Sequence, residues 1–358
     1  MRTEGFAPSA KPPNPLEIDA AAEADRICDA IRCFLRRDLA RRGLVVAVSG
    51  GVDSAVTLAL AARALGNRKV LALLLPERDS DPQTVELGRR LSARFDVERA
   101  EEDITAALEA LGHYRRYAAA ARCVFPEYGE GWRSKLTTSD VLTGSGYTVF
   151  SLVAQSPDGR EVKRRVPLRP YLDILASMNF KQRVRKLLEY YHAERRHFAV
   201  AGTPNRLEYE LGFFVKQGDG AADLKPIAHL YKTQVYQLAD YLGIPPEIIA
   251  RKPTTDTFSL PQGQDEFFFS LPYPQMDLCL YAKNAGIPPE EAAAWAGLTP
   301  TDIRRVYADI DRKRSTTRYL HRTACLVSDI PYFSSKEDSC DHGCTDPSQA
   351  IHHRELPV

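Results

Sequence analysis

Leu44-Val45-Val46-Ala47-Val48-Ser49-Gly50-Gly51-Val52-Asp53-Ser54 carries three local signals in one run. Leu44 to Val48 is apolar and rich in β-branched residues, which predicts a buried strand. Ser49-Gly50-Gly51 predicts a tight turn whose backbone a ligand can approach closely. Asp53 and Ser54 then open a helical run, Ala55 to Leu65, dominated by Ala and Leu. The N–H groups at such a helix start point at whatever sits above them, and the helix dipole favours negative charge there. A phosphate-bearing ligand fits that arrangement, with Asp53 available to hold an accompanying metal ion. The plainer alternative is an ordinary strand-to-helix turn.

On either side the chain alternates helix and strand. Leu16 to Arg41 has apolar residues at helical spacing, and Lys69 to Pro76 reads as a second buried strand. This alternation predicts an α/β fold, a parallel sheet with helices on both faces. Glu77 to Pro82 forms a polar loop at the carboxyl end of the second strand, where open sheets of this kind bind ligands. Thr84 to Phe95 is read as helix, Asp96 to Arg99 as a brief extended piece, and Glu101 to Leu111 as helix. Tyr147 to Pro167 predicts a hairpin turning at Ser156-Pro157-Asp158-Gly159. A hairpin breaks the parallel rhythm, so it is placed outside the central sheet, in an insertion of about residues 112–170 that serves as a lid or subunit contact. Tyr171 to Arg196 restores helix, and His197 to Thr203 is a third sheet strand ending in a Gly-Thr-Pro-Asn turn. Pro253 to Pro274 is long and irregular, which predicts a segment that binds something or moves. Residues 1–15 are read as a flexible arm, 16–328 as the folded domain and 329–358 as a peripheral tail.

Composition narrows the function. The 358 residues carry a net charge of +1 with 27% charged and 44% apolar residues, which argues against a nucleic-acid scavenger or an acidic disordered chain. No run of 18 apolar residues is present, so no membrane helix is expected, and the N-terminus lacks the apolar core of a secretion signal. Seven cysteines without a regular framework point to a reducing cytoplasm. Cys340, His342 and Cys344, with Cys325, are too closely set for the usual structural zinc spacings.

If the sheet is parallel, the loops Ser49–Ser54, Glu77–Ser80 and Thr203–Glu208 reach one crevice. Asp53 and Glu208 then become candidates for a shared magnesium ion, against the alternative of Glu208 as a surface helix residue. Phe213 to Asp223 is the second informative run: Lys216 is a candidate phosphate partner, and Asp219 and Asp223 can receive an amide, a hydroxyl or an ammonium. A charged, solvated turn is the alternative there. Arg183 and Arg185 lie two apart in a helix, so they face different ways, one to a ligand and one to a partner helix.

These stretches resemble the ammonia-dependent NAD synthetases, within the wider N-type ATP pyrophosphatases. SGGVDS, Ser49 to Ser54, resembles the pyrophosphate loop of the superfamily, which is shared with amidotransferases such as GMP synthetase. Asn179 to Arg185 and the run Ala201 to Val235 are similar to more specific parts of the synthetase pattern. The resemblance implies an adenine nucleotide alpha hydrolase-like (Rossmann-like) fold. It implies an enzyme that uses ATP and magnesium to adenylate the carboxylate of nicotinate adenine dinucleotide, and ammonia to convert it to NAD. By resemblance Asp53, Lys216 and Asp219 are catalytic, and Asp53 and Glu208 hold the metal. ATP contacts fall to Ser49, Gly50, Gly51, Val52, Ser54, Arg183, Thr203 and Lys232. Arg185, Asp223, Asp256, Lys313 and Arg314 face the acceptor, and Pro253 to Asp256 with Asp265-Glu266 belongs to a loop that closes over both substrates and is mobile before they arrive. Tyr231, Thr255, the aromatic Tyr273-Pro274 region and the long Gly112–Pro170 stretch depart from the family pattern on the acceptor side, so an amide ligase for a different carboxylic acid is the alternative. A cytoplasmic homodimer is expected, with no membrane or nucleic-acid partner. The chain is expected to have no room for a glutaminase, which leaves free ammonia or a separate glutaminase subunit as nitrogen source.

Overall fold

The structure is a computed structural model that describes residues 14–138, 150–254, 258–264, 268–269, 271–328 and 330. Most of the arm (residues 1–13) and nearly all of the tail, with Cys340, His342 and Cys344, lie outside the described residues. Residues up to His321 form one compact unit; the described residues beyond it belong to a second, and are exposed without helix or strand.

In chain order, α1 (Ala20–Arg37) leads into β1 (Leu44–Ala47), α2 (Val52–Leu65), β2 (Val70–Leu74), α3 (Pro82–Arg94) and β3 (Glu98–Glu101). These strands and a later one, β7 (Ala199–Ala201), form a parallel sheet of order β3-β2-β1-β7. Successive side chains of a strand point to opposite faces. Leu44, Val46, Val70, Ala72 and Leu74 accordingly pack with α1, α2 and the later α8 (Lys232–Leu242) on one face. Val45, Leu71, Leu73 and Val200 pack on the other, against α4 (Thr105–Ala110) and the 29-residue α6 (Leu168–Arg196). Two buried faces explain why the strands read as unbroken apolar runs.

Several boundaries differ from the sequence expectation. Asp96 sits at positive φ in a turn, so the extended piece begins later, at Glu98, and runs through Glu101. Gly112, at φ +71°, separates α4 from α5 (His113–Arg122). His197 caps α6 in the left-handed conformation, which shortens the strand read as His197–Thr203 to three residues.

The insertion contains more than a hairpin. β5 (Phe150–Gln155) and β6 (Glu161–Arg165) pair antiparallel around the expected Ser156–Gly159 turn, and β4 (Arg133–Thr138) adds a third strand on the outer side of β5. β4 reads RSKLTT, with only Ser134 and Leu136 buried, so its alternation is carried by two residues among polar ones. This sheet has its own core: Phe125, Tyr128, Leu136, Leu152 and Ala154 pack with Ile174 and Met178 of α6. α6 thus runs from the insertion to the central sheet. After β7 come α7 (Arg206–Leu211), α8, α9 (Pro246–Ile249), α10 (Tyr273–Asn284), α11 (Pro289–Ala296) and α12 (Pro300–Thr317); α10 to α12 form a helical layer around Met276, Leu280 and Ile310. Among the described residues no helix is long and apolar enough to cross a membrane.

Candidate active site

The three sheet-end loops meet at one cavity of about 680 Å³. Ser49, Gly51, Val52, Asp53 and Ser54 line it from β1, Leu75, Pro76 and Ser80 from β2, and Gly202, Thr203, Pro204 and Glu208 from β7. The first loop is held by Ser54, whose hydroxyl donates to the Gly51 carbonyl at 2.9 Å and accepts the Ser49 amide at 3.2 Å. Gly50 has φ +70° and lies behind the lining, where a Cβ would come within 3.2 Å of the Thr84 backbone. Arg251 closes over this turn, bonding to Asp81 and Thr84 at 3.0 Å each.

Asp53 meets two partners at the first turn of α2. Asn205 donates to its Oδ1 at 3.2 Å, and the ammonium of Lys232 bonds its Oδ2. Asn205 and Glu208 form a reciprocal capping box at the start of α7, which fixes Glu208 beside Asp53. Lys232 is the first residue of α8, whose N-terminal amides at 232 and 233 are capped at 3.2 and 2.7 Å by the buried Asp277 of α10. Burial pushes the Asp277 carboxyl up to about 6, although the amides pull it down. Burial, then repulsion from Asp53, raises Glu208 to about 8. Burial opposes the Lys232 ammonium, but attraction to Asp53 and Glu208 outweighs it and holds its pKa above the usual lysine value.

Glu208 thus stands desolvated beside the half-buried Asp53–Lys232 ion pair, where a bound cation would favour its carboxylate form. Two hard oxygen donors beside the N-terminal amides of a helix fit a magnesium ion, which takes one or two carboxylates and completes its shell with water and phosphate oxygens. Among the described residues no three His, Cys, Asp or Glu side chains are placed to hold a metal by themselves.

The other sequence-predicted residues divide. Arg185, Asp219 and Lys313 line the same cavity. Arg185 donates to the Leu75 carbonyl at 3.2 Å, and Asp219 accepts the Val215 amide at 2.8 Å and is raised by burial. Lys313 bridges the Phe268 carbonyl and Asp309 at 2.5 and 2.6 Å. Arg183 is exposed and donates to the Lys216 carbonyl at 3.3 Å, outside the lining. Lys216 is likewise outside it, its ammonium on the Tyr319 carbonyl at 2.8 Å. Asp223 accepts the Val200 amide at 2.7 Å at the edge of β7, and Arg314 pairs with Glu210 and Asn284. Asp256, with Thr255, Asp265 and Glu266, lies outside the described residues.

Sequence reasoning missed Lys186 and Glu189, a buried ion pair at 2.5 Å that lines the cavity, and Asn205, Arg251 and Gln264. It also missed the ion pair of Lys181 with Glu77 at 2.6 Å, which anchors the second loop. Asn205 and Glu208 stand three apart at a helix start, a legible capping signature. No local pattern marks the others.

The family model described as NAD synthase matches residues 23–123 and 162–318. The chain belongs to the NAD synthase family. Relatives agree: it is 55% identical over 315 residues to the NH3-dependent NAD+ synthetase of Rhizobium rhizogenes, covering 88% of this chain and 95% of that one. The NH3-dependent NAD+ synthetase of Thermotoga maritima is 38% identical over 67% of this chain and 79% of its own. Among solved structures, the NH3-dependent NAD synthetase of Campylobacter jejuni superposes with a TM-score of 0.56 at 22% identity, covering 87% of this chain and all of that one. An NMN synthetase from Francisella tularensis gives 0.59 at 20% identity, covering 87% and 99%. NAD synthase family members and an NMN synthetase thus share the architecture, and the fold does not choose the acceptor. The 55% identity does, and it disfavours a different carboxylic acid. Residues 124–161, with β4 and β5, fall between the two family-matched stretches.

Proposed function

We propose that this chain amidates nicotinate adenine dinucleotide to NAD with ammonia, spending ATP to AMP and pyrophosphate through an acyl-adenylate. The observation that carries the reading is the Asp53–Glu208–Lys232 cluster beside a phosphate-type turn, in a chain this similar to NH3-dependent synthetases. The acceptor carboxylate attacks the α-phosphorus of ATP and pyrophosphate departs; ammonia then attacks the adenylated carbonyl, releasing AMP. Asp53 and Glu208 would hold a magnesium ion, which when bound supplies positive charge to the phosphates. The first-turn amides of α2, at Val52 to Ser54, are assigned to the phosphates, and Lys232, already charged and fixed by the capped α8, to the charge that develops on the leaving group. Lys216, which the resemblance assigned to phosphate, is held on Tyr319 instead, so Lys232 is the better candidate for that role. Asp219 and Arg185 line the same cavity, which supports assigning them to the acceptor and ammonia.

The exposed apolar residues of α6 support a homodimer: Leu168 with Leu172, and further along Leu187 with Tyr191, form two pairs, each four residues apart, along a solvent-facing stripe. The reaction is placed in the cytoplasm, where thiols such as Cys28 and Cys279 stay reduced. Purified protein given ATP, magnesium, an ammonium salt and the deamido dinucleotide should form NAD, AMP and pyrophosphate in equal amounts. No NAD above background would overturn the reading.

A further inference from the structure

We infer that the insertion docks the 258–264 segment at the cavity, and that this dock positions Glu208 through Gln264. In the order β4-β5-β6, β4 is an edge strand, and its outward backbone groups invite pairing. The 258–262 segment takes that edge. Leu260 donates its amide to the Ser134 carbonyl at 3.2 Å, and the Ser134 amide donates to the Ser259 hydroxyl at 2.9 Å. Arg133 and Lys135 reach the Ser259 and Pro261 carbonyls at 2.7 and 3.2 Å, and the Gln262 side-chain Nε2 donates to the Leu136 carbonyl. Phe258 is buried in the insertion's own core beside Phe125 and Met178. At the far end Gln264 donates to Glu208 Oε1 at 3.4 Å while the Tyr273 hydroxyl bonds Gln264.

The segment belongs to the family-matched part of the chain and β4 lies between the two matched stretches, so the dock joins the two. Thr138, Phe150, Phe258 and Gln264 line one cavity, so the docked segment and the insertion build a wall of it together. Resting on the proposed adenylation, the wall keeps water from the acyl-adenylate, which would otherwise hydrolyse to the starting acid and AMP. Gln264 is then a positioning residue.

Hydrogen exchange on the ligand-free protein tests the dock without activity. The Leu260 amide should exchange at least about ten-fold more slowly than an unstructured amide; exchange at the unstructured rate would overturn the inference. In the variants Phe258→Ala and Ser259→Ala the 258–264 segment should exchange faster, and AMP formed per NAD should rise about two-fold or more above the natural chain's ratio of one. Faster exchange with an unchanged ratio would overturn the positioning role. If Phe258→Ala does not fold, the exposed Arg133→Ala gives the same comparison. Failure of the natural chain to form NAD would sink the proposed function, while the exchange result would still decide the dock.

Discussion

Lys232 pairs with Asp53, and Glu208 is held beside that pair by Asn205. Replacing Lys232 with Met leaves the half-buried Asp53 and the buried Glu208 facing each other without their ammonium, and breaking a fully buried pair costs about 3–5 kcal/mol, an upper bound here. Lys232→Met should therefore unfold at markedly lower temperature than the natural chain, and millimolar magnesium should restore more stability to the variant than to the natural chain. Equal magnesium effects in thermal melts of the two proteins would remove the metal from this site. Asp53 and Glu208 were legible in the sequence, because a turn-and-helix motif and a strand-end helix each announce a position. The lysine was less so. Lys216 and Lys232 are equally plausible on paper; the difference is that Asp277, far along the chain, caps the helix that begins at Lys232, while Lys216 reaches the carbonyl of Tyr319 beyond α12.

α6 and the loop after β2 are joined by the Lys181–Glu77 ion pair, both side chains 1% exposed, with the Tyr114 hydroxyl donating to Glu77 at 2.9 Å. Burial pushes the Glu77 carboxyl up, but Lys181 and Tyr114 outweigh it and hold its pKa below the usual 4.5. A carboxyl depressed in the fold adds stability that is complete above its unfolded value and drains away as the pH falls below it. Acid titration followed by circular dichroism should show stability falling from about pH 4.5 downward. In the double variant Lys181→Met/Glu77→Leu that slope should be shallower, while Lys181→Met alone should lose about 3–5 kcal/mol in denaturant melts. A double variant as unstable as the single one would contradict the pairing. The central strands were legible because both their faces are buried and apolar. β4 was not, because its pairing partners lie in β5 and in residues 259–262, and six mostly polar residues give no period to read.

The whole chain combines a family core with an insertion that shares one cavity with it. Fold class and the convergence of three loops followed from the alternation of helix and strand; the reach of the insertion did not, since only the folded chain brings residue 134 beside residue 260. The α6 stripe predicts self-association: light scattering should give about twice the 40.0 kDa chain mass, and Leu172→Glu with Leu187→Glu should shift it toward the single-chain value. A single-chain mass for the natural protein would leave the stripe unexplained.

The central claim is that this cavity transfers an adenylyl group to a carboxylate. Nicotinate adenine dinucleotide labelled with oxygen-18 in its carboxylate should, on turnover with ATP and ammonia, pass one labelled oxygen to AMP, read by mass spectrometry. Unlabelled AMP, or label appearing in inorganic phosphate with ADP as the other product, would contradict it.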